Sequence, residues 1–193
     1  PAAGRGRPVA DWTRGDLLGQ AGEQHTRTMP DRVPVVTPSR LSLMPMGFDT
    51  ALPYRRQPDG FDPRVAWIFD GIGDDEPIGD CGNLILGHGA AGHEIDRYDR
   101  GLGTPSHAFL LATATGFSDG YQTVVEEVLM ADSHQGGTVN PRVRADMTYL
   151  DEPNGGTVFA VGSIAWCGAL SANGYDNTVA RVTGNVLRRF ADS

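Results

Sequence analysis

The chain has 193 residues, of which 39% are hydrophobic, and a formal net charge of -8 at pH 7. This length supports one domain with a core, with or without an extended arm. The acidic balance argues against nucleic acid and against an anionic membrane surface as partners, because a polyanion is bound by a basic face. All 16 basic residues other than histidine are arginine, which excludes Schiff-base chemistry on lysine.

The two cysteines, Cys81 and Cys167, show no spacing typical of a disulfide framework or a zinc site. We therefore expect free thiols in a reducing cytoplasm, with Cys167 in the core. No stretch approaches the roughly 18 apolar residues that span a bilayer. The chain begins with proline rather than methionine, which favours a processed product or a piece of a longer polypeptide.

Residues 1–46 differ in composition from the rest of the chain, and only Asp11 to Gln24 could form a short helix. Five prolines interrupt this segment: Pro8, Pro30, Pro34, Pro38 and Pro45. We interpret it as an extended arm or linker, whose composition is compatible with binding a partner and also with a disordered tail. The predicted α/β domain is residues 47–193.

Three short apolar runs predict strands of a central sheet. The first, from Val65 to Phe69, is rich in β-forming residues and ends at Asp70-Gly71. The second is residues 84–86. The third runs from Ala108 to Thr113 without alternation of polar and apolar residues, as expected for a strand covered on both faces.

The apolar spacing from Tyr121 to Leu129 predicts an amphipathic helix, with Ser118 or Asp119 as its N-cap. Residues 116–120 also match G-x-S-x-G between a predicted strand and a predicted helix, the context of a nucleophile elbow. A triad would need a histidine from another loop, and only His134 lies downstream. Capping is therefore the favoured role.

The segments from Asp146 to Asp151 and from Thr157 to Trp166 flank Pro153-Asn154-Gly155-Gly156, which predicts a β-hairpin because Asn-Gly supplies the positive φ angles of a tight turn. Strands interleaved with helices and followed by a hairpin favour an α/β sheet sandwich over a barrel or an all-β domain.

A closing helix is predicted from Val179 to Phe190, with Leu187 in its apolar face and Asp176 or Asn177 as its cap.

Residues 87–92, Gly-His-Gly-Ala-Ala-Gly, match G-x-G-x-x-G and are called the glycine loop below. In a dinucleotide-binding fold, such a loop brings a pyrophosphate to a helix N-terminus. The residues that follow, His93 to Arg100, are too polar for a helix that packs on a sheet. A loop that passes close to other backbone is the favoured interpretation.

Possible metal ligands also gather around the glycine loop: His88, His93, Glu94, Asp96 and Asp99. However, His93-Glu94 lacks the second histidine of H-E-x-x-H, so one helix face would not present the ligand pair.

Glu94 is a better candidate for a general acid or base than for a metal ligand. A carboxylate on a glycine-bounded turn can be held in a partly dry cleft, which raises its pKa toward the range useful for proton transfer. The alternative is a surface glutamate paired with Arg97 or Arg100.

Many separate stretches, in order, resemble the C-terminal region of the N,N-dimethylformamidase large (beta) subunit family, and the resemblance covers Gly47 to Phe190. The stretches are Gly47-Phe48-Asp49, Tyr54-Arg55-Arg56, residues 71–76, residues 89–97, residues 102–105, Asn140-Pro141, residues 144–147, residues 153–156, residues 162–166 and residues 173–177.

This resemblance implies a sheet sandwiched by helices, similar to class I glutamine amidotransferases but without their Cys-His-Glu triad. It also implies an enzyme that hydrolyses small N-substituted formamides, N,N-dimethylformamide giving dimethylamine and formate. The family resembles mononuclear iron hydrolases whose metal is held by tyrosine phenolates and a carboxylate. We expect those ligands outside this chain, in upstream sequence or a partner.

By the same resemblance, Glu94 matches the family's glutamate in the glycine loop and is expected to move protons at an iron-bound water. Gly89, Ala90, His93 and Asn173 are expected to line the substrate pocket. The expected partners are the small amide, the remainder of the large subunit and a small subunit, in an oligomer. His93, together with His88 and Cys81, departs from what the family leads us to expect.

Two other functions stay open from the sequence. One is a non-catalytic amidotransferase-like module that provides assembly surface, with Glu94 paired to arginine. The other is a free-standing hydrolase, in which Ser118 or Cys81 would act as the nucleophile with a histidine base.

Overall fold

The computed structural model describes residues 51–83, 87–93, 95–100, 104–119, 121, 136–153 and 155–192. The predicted arm, the predicted strand at residues 84–86 and all but the first residue of the predicted helix at 121–129 lie outside the described residues. No helix in the described ranges is long and apolar enough to cross a membrane.

A four-stranded antiparallel sheet forms the centre of the described structure. Its strands are β1 (Arg55–Arg56), β4 (Phe109–Ala114), β5 (Ala145–Asp151) and β6 (Thr157–Ala160), in the order β1-β4-β5-β6. Strands β2 (Gly82–Asn83) and β3 (Gly87–His88) pair separately. Within the described ranges, helices α1 (Ala165–Ala169) and α2 (Thr178–Ala191) and several 3-10 turns complete an α/β architecture.

The predicted strand at 108–113 is confirmed as β4. It lies between β1 and β5, and its last four residues are buried. Because both faces are covered, the apolar run needs no alternation. The register shifts between Leu110 and Ala112, and the Leu111 carbonyl accepts a hydrogen bond from Gln57 N at 2.8 Å.

The predicted hairpin is confirmed as β5 and β6, in which Leu150 pairs with Val158 and Asp151 with Thr157. Glu152 closes the turn, since its N–H donates to the Gly156 carbonyl at 2.6 Å. The second strand is shorter than predicted and ends at Ala160, because Gly162 takes a φ of +62° before α1 begins.

The predicted strand from Val65 to Phe69 is wrong: Ala66–Phe69 forms a 3-10 turn. The Asp62 carbonyl accepts hydrogen bonds from the Val65 and Ala66 N–H groups at 2.9 and 2.8 Å, which starts the turn. Val65, Ile68 and Phe69 are buried. Their i, i+3, i+4 spacing is that of a helical face, which a five-residue apolar run does not distinguish from a strand.

The predicted closing helix is confirmed as α2, and Asn177 is its N-cap. Its side-chain oxygen accepts a hydrogen bond from Ala180 N at 2.9 Å. The helix packs on the 3-10 turn at Ala66–Phe69. At this contact Asn185 Nδ2 donates to the carbonyls of Ile68 and Asp70, both at 3.1 Å.

Two predicted core positions are wrong. Leu187 is 62% exposed, because the buried face of α2 carries Val179, Val182 and Val186 instead. Cys167 is also exposed, since in the short α1 it lies on the outer side while Trp166 and its other neighbours are buried.

Candidate functional site

The glycine loop lies against the first described residues of the chain. A Cβ at Gly89 would be 2.4 Å from the Ala51 carbonyl carbon, and Gly89 has a φ of +96°. Leu52 and Ala91 exchange two backbone hydrogen bonds of 2.7 and 2.9 Å. The predicted close approach to other backbone is therefore confirmed. The described residues 95–99 form no helix, so they provide no helix N-terminus for a pyrophosphate.

Ser163, two residues before the start of α1, holds the end of the glycine loop. Its hydroxyl accepts a hydrogen bond from Gly92 N at 2.8 Å and donates one to the Gly92 carbonyl at 2.9 Å. Ser163 and Ile95 also form an antiparallel bridge. One residue further, Asp96 N donates to the Gly162 carbonyl at 2.9 Å.

His93 is held from the other side by Tyr121. The His93 N–H donates to the Tyr121 hydroxyl at 3.0 Å, and His93 takes a φ of +71°. Tyr121 is buried and its ring centroid lies 4.7 Å from that of Phe117. Glu94, the predicted acid or base, lies outside the described residues. Both of its neighbours in the chain are nevertheless anchored, one to Tyr121 and the other to Ser163.

The predicted pocket residues fall in two neighbouring places. Asn173 lines a cleft of about 430 Å³ whose wall also carries Cys81 and the carboxylates of Glu76, Asp80 and Asp176. Gly89, Ala90 and His93 belong to the glycine loop instead. The two places are connected, because Gly89 N donates to the Cys81 carbonyl at 2.8 Å.

Asn173 has a left-handed backbone, with φ of 53° and ψ of 34°, and its amide donates to the Asp176 carbonyl at 3.2 Å. Ala90 is fully buried and packs so closely on Gly79 that a Cβ at Gly79 would lie 2.2 Å from the Ala90 Cβ. Ala90 therefore contributes backbone and a single methyl group to this part of the structure.

Cys81 and His88 do not show the features of an activated nucleophile and its base. Burial and the nearby Asp80 carboxylate raise the pKa of the Cys81 thiol, whereas a nucleophilic cysteine needs a lowered pKa. His88 Nδ1 lies 3.6 Å from Asp80 Oδ1, and both side chains are exposed.

The predicted capping residues Ser118 and Asp119 contact a later loop. The Ser118 carbonyl accepts from Gly137 N at 3.2 Å, and Asp119 Oδ1 accepts from Thr138 N at 3.0 Å and from Thr138 Oγ1 at 2.5 Å. These Thr138 hydrogen bonds lower the pKa of Asp119. The helix that Ser118 or Asp119 would cap, and His134, lie outside the described residues.

The structure adds a buried acid that the sequence analysis missed. Asp146 is fully buried, and its carboxylate accepts hydrogen bonds from Arg144 Nε at 2.8 Å, Tyr98 N at 2.7 Å and Thr113 Oγ1 at 2.9 Å. Burial raises the pKa of Asp146, while Arg144 and these hydrogen bonds oppose the rise. The Arg-x-Asp spacing at the start of a strand, where alternate residues share one face, was the available signal.

The two arginines considered as partners of Glu94 have other hydrogen bonds. Arg97 is buried and its Nε donates to Asp99 Oδ2 at 3.0 Å, while burial lowers the pKa of this guanidinium. Arg100 Nε donates to the Tyr98 hydroxyl at 2.7 Å.

The described residues do not fit an iron site of the expected kind. They contain no group of three or more His, Cys, Asp or Glu side chains that could hold a metal ion. Tyr54 is fully buried, its hydroxyl donates to the Val161 carbonyl at 2.7 Å, and burial raises its pKa far above the usual range. A phenolate ligand needs the opposite shift.

Comparison with known proteins defines the class to which this arrangement belongs. Residues 41–177 match the family described as "N,N-dimethylformamidase beta subunit-like, C-terminal". The chain therefore belongs to this family.

Two curated relatives carry the name "N,N-dimethylformamidase beta subunit". The one from Paracoccus aminophilus is 46% identical over 144 residues, and the one from Alcaligenes sp is 45% identical over 144 residues. Each match covers 75% of this chain and spans only 19% of the relative.

Proposed function

We propose that the chain is the C-terminal domain of an amide hydrolase that acts on small N-substituted formamides and converts N,N-dimethylformamide to dimethylamine and formate. The observation that carries this proposal is the family match over residues 41–177, together with relatives of that name at 45–46% identity. We also propose that the domain is inactive without the rest of the enzyme, which is in line with a match that spans 19% of those relatives.

In this proposal Glu94 is the general acid and base of the domain. Amide hydrolysis requires that water lose a proton as its oxygen bonds to the carbonyl carbon, and that the amine nitrogen gain a proton as the C–N bond breaks. The Glu94 carboxylate takes the first proton and returns it to the nitrogen. Support comes from its position between two anchored neighbours, His93 and Ile95.

We propose that the glycine loop and Asn173 form part of the pocket wall for the amide. Gly89 and Ala90 let the loop lie close to the chain at Ala51 and to Gly79, which leaves backbone and small groups on this side. The Gly89–Cys81 hydrogen bond joins the loop to the cleft that Asn173 lines.

Iron is expected for the whole enzyme, where a metal supplies polarisation of the amide carbonyl. In our proposal the ligands of this iron belong to sequence outside this chain. The remainder of the large subunit and a small subunit are its proposed partners, in a cytoplasmic oligomer. The amidotransferase-like arrangement of the sheet and its helices is likewise part of the proposal.

The proposal is tested by replacing Glu94 with Gln in the full-length enzyme that contains this domain. The replacement keeps the shape of the side chain and removes its proton exchange, so turnover of N,N-dimethylformamide should fall by about 10²- to 10⁴-fold. Glu152→Gln, the same chemical change in the β5–β6 turn, is the matched control and should leave turnover unchanged. Unchanged turnover in Glu94→Gln would contradict the proposed role.

A second measurement separates an enzyme from an assembly module. Bound iron and formamide turnover are measured on the purified chain by itself and on the full-length enzyme. We expect neither in the chain and both in the enzyme. If Glu94→Gln is fully active and the chain is needed only for subunit association, the domain is a non-catalytic module.

A further inference from the structure

Strand β6 is one edge of the four-stranded sheet in the described structure, with β5 as its neighbour. The N–H of Glu152 donates to the carbonyl of Gly156, so these two residues form a hydrogen-bonded pair at the start of the ladder. Hydrogen-bonded and non-hydrogen-bonded pairs alternate along antiparallel strands. In the observed register, β6 therefore bonds to β5 through the backbone of Val158 and Ala160.

The backbone groups of Thr157 and Phe159 consequently point away from the sheet. No group of the described residues forms a hydrogen bond with the main chain of either residue on this outer side. Both residues are half-buried. A row of N–H and carbonyl groups of this kind is a template on which a further strand can pair.

The two edges of the described sheet differ in how they resist such pairing. Strand β1, at the opposite edge, has only two residues and both are arginine. Short length and charge are devices that keep an edge strand from pairing. Strand β6 reads Thr-Val-Phe-Ala and has neither a charge nor a proline. Of these two edges, β6 is therefore the one suited to accept a strand.

A row of aromatic side chains reaches the β6 edge. Tyr149 lies opposite Phe109 on β4 and opposite Phe159 on β6, so the three side chains share one face of the sheet. The ring centroids of Phe109 and Tyr149 are 6.5 Å apart. Tyr149 is buried, whereas Phe159 at the end of the row is only half-buried. An apolar side chain on an added strand would cover Phe159 and continue the row.

A carboxylate lies beside the same edge. Asp151 is exposed, and its Oδ1 accepts a hydrogen bond from Thr157 Oγ1 at 3.2 Å. A basic side chain on an added strand would be within reach of this charge. A second copy of β6 would not supply it, because β6 contains no basic residue. The match spans only 19% of each curated relative, so most of the large subunit lies outside it and is the favoured source of the strand.

We propose that a strand from the part of the large subunit outside the family match adds to the edge of β6. This inference rests on the proposed function, in which the chain is the C-terminal domain of that subunit. The added strand bonds to the outer backbone groups of Thr157 and Phe159. It places an apolar side chain against the Phe159 ring and a basic side chain toward Asp151. Main-chain bonds provide affinity in such an arrangement, and the side chains provide selectivity.

The test compares amide hydrogen exchange, resolved to single residues, in the full-length enzyme and in the 193-residue chain by itself. The Phe159 amide should exchange on the order of a hundredfold more slowly in the full-length enzyme. The Val158 amide, which bonds to β5, is the internal reference and should be slow in both. Fast exchange at Phe159 in the full-length enzyme would overturn the inference. Slow exchange in the chain by itself would also overturn it, because a segment of this chain would then cover the edge.

Thr157→Pro and Thr157→Val form a matched pair of variants in the full-length enzyme. Both lose the hydroxyl that bonds to Asp151, but only proline also lacks the outer N–H, and proline is tolerated at the first residue of an edge strand. Thr157→Pro should speed exchange at Phe159 by about tenfold, whereas Thr157→Val should not. Equal rates in the two variants would contradict strand addition. If Thr157→Pro also speeds exchange at Val158, β6 itself is disturbed, and the wild-type comparison decides.

The source of the strand is identified by a photo-cross-link from Phe159→p-benzoylphenylalanine in the full-length enzyme. We expect the cross-linked peptide to lie in the large subunit outside the family match. A peptide from a small subunit, from a second copy of this domain or from residues 1–50, or no cross-link, would overturn the inference. Turnover of N,N-dimethylformamide measured alongside separates the two proposals. An enzyme without turnover contradicts the proposed function, whereas an active enzyme without the cross-link contradicts only strand addition.

Discussion

Arg144, which directly precedes β5, and Asp146, two residues further along the chain, form an ion pair of 2.8 Å in which the carboxylate is completely buried. Removing Asp146 would leave Arg144 Nε, Tyr98 N and Thr113 Oγ1 without this acceptor. We expect Asp146→Ala to lower the free energy of unfolding by about 3 to 5 kcal/mol, measured by urea denaturation.

Asp74 provides the control for this prediction. It pairs with Arg56 at 3.4 Å but is 80% exposed, so Asp74→Ala should change the free energy of unfolding by less than about 1 kcal/mol. Equal effects of the two substitutions would show that the burial of Asp146 does not determine its contribution.

Gly89 and Gly155 distinguish a steric requirement for glycine from a conformational one. Both have positive φ angles, +96° and +90°, but a Cβ at Gly89 would meet the Ala51 carbonyl carbon at 2.4 Å whereas a Cβ at Gly155 would meet nothing within 4 Å. Gly155→Ala should cost about 1 to 3 kcal/mol through backbone strain. Gly89→Ala should cost clearly more. Thermal unfolding of both variants checks this, and similar melting temperatures would argue against close packing of the glycine loop.

Asn177 has two separable roles at the start of α2. Its side-chain oxygen caps the helix through Ala180 N, while its amide donates to the carbonyls of Leu170 at 3.1 Å and Ala172 at 2.6 Å. Asn177→Asp keeps the capping oxygen and loses the amide. Asn177→Ala loses both and should cost an additional 0.5 to 2 kcal/mol or so relative to Asn177→Asp. If the two variants unfold at the same denaturant concentration, the cap contributes nothing.

Asp62 should make stability depend on pH in the acid range. Its carboxylate accepts from Arg64 N and Nε, both at 2.9 Å, and from Arg64 Nη2 at 2.7 Å, which lowers its pKa from 3.8 to about 2. Since the pKa is lower in the folded protein than in the unfolded chain, the stabilisation is present above 3.8 and is lost as the pH falls toward 2.

Asp62→Asn tests that pH dependence directly. The melting temperature of the variant should lie below that of the wild type at neutral pH, and the difference should shrink as the pH falls through this window. A difference that stays constant down to about pH 2 would mean that the ionised carboxylate is not responsible.

A helix or strand could be predicted from the sequence where its local residue pattern indicates the same structure that its packing in the fold requires. Strand β4 was recognisable from an apolar run without alternation, and the hairpin from Asn154-Gly155. The turn at Ala66–Phe69 was not, because Val65, Ile68 and Phe69 fit a strand and a helical face equally well over so short a run. The hydrogen bonds to the Asp62 carbonyl and the packing of α2 on the turn, through Asn185, favour the helical form.

The candidate site was predictable only in its local part. The glycine pattern around Gly89 indicated a close backbone approach, and the structure identifies the neighbour as Ala51. The anchors were not predictable, because Ser163 and Tyr121 reach the loop across 71 and 28 residues. Such contacts follow from the arrangement of the whole sheet, and no periodicity within one segment encodes them.

The exposure of Cys167 on α1 has a practical consequence for experiments on this domain. The only other cysteine, Cys81, is partly buried and its thiol pKa is raised by burial and by Asp80. A maleimide fluorophore should therefore react first at Cys167, without any engineered cysteine. A dye attached there would report on α1, four residues from Ser163, when the domain is mixed with the partners proposed above.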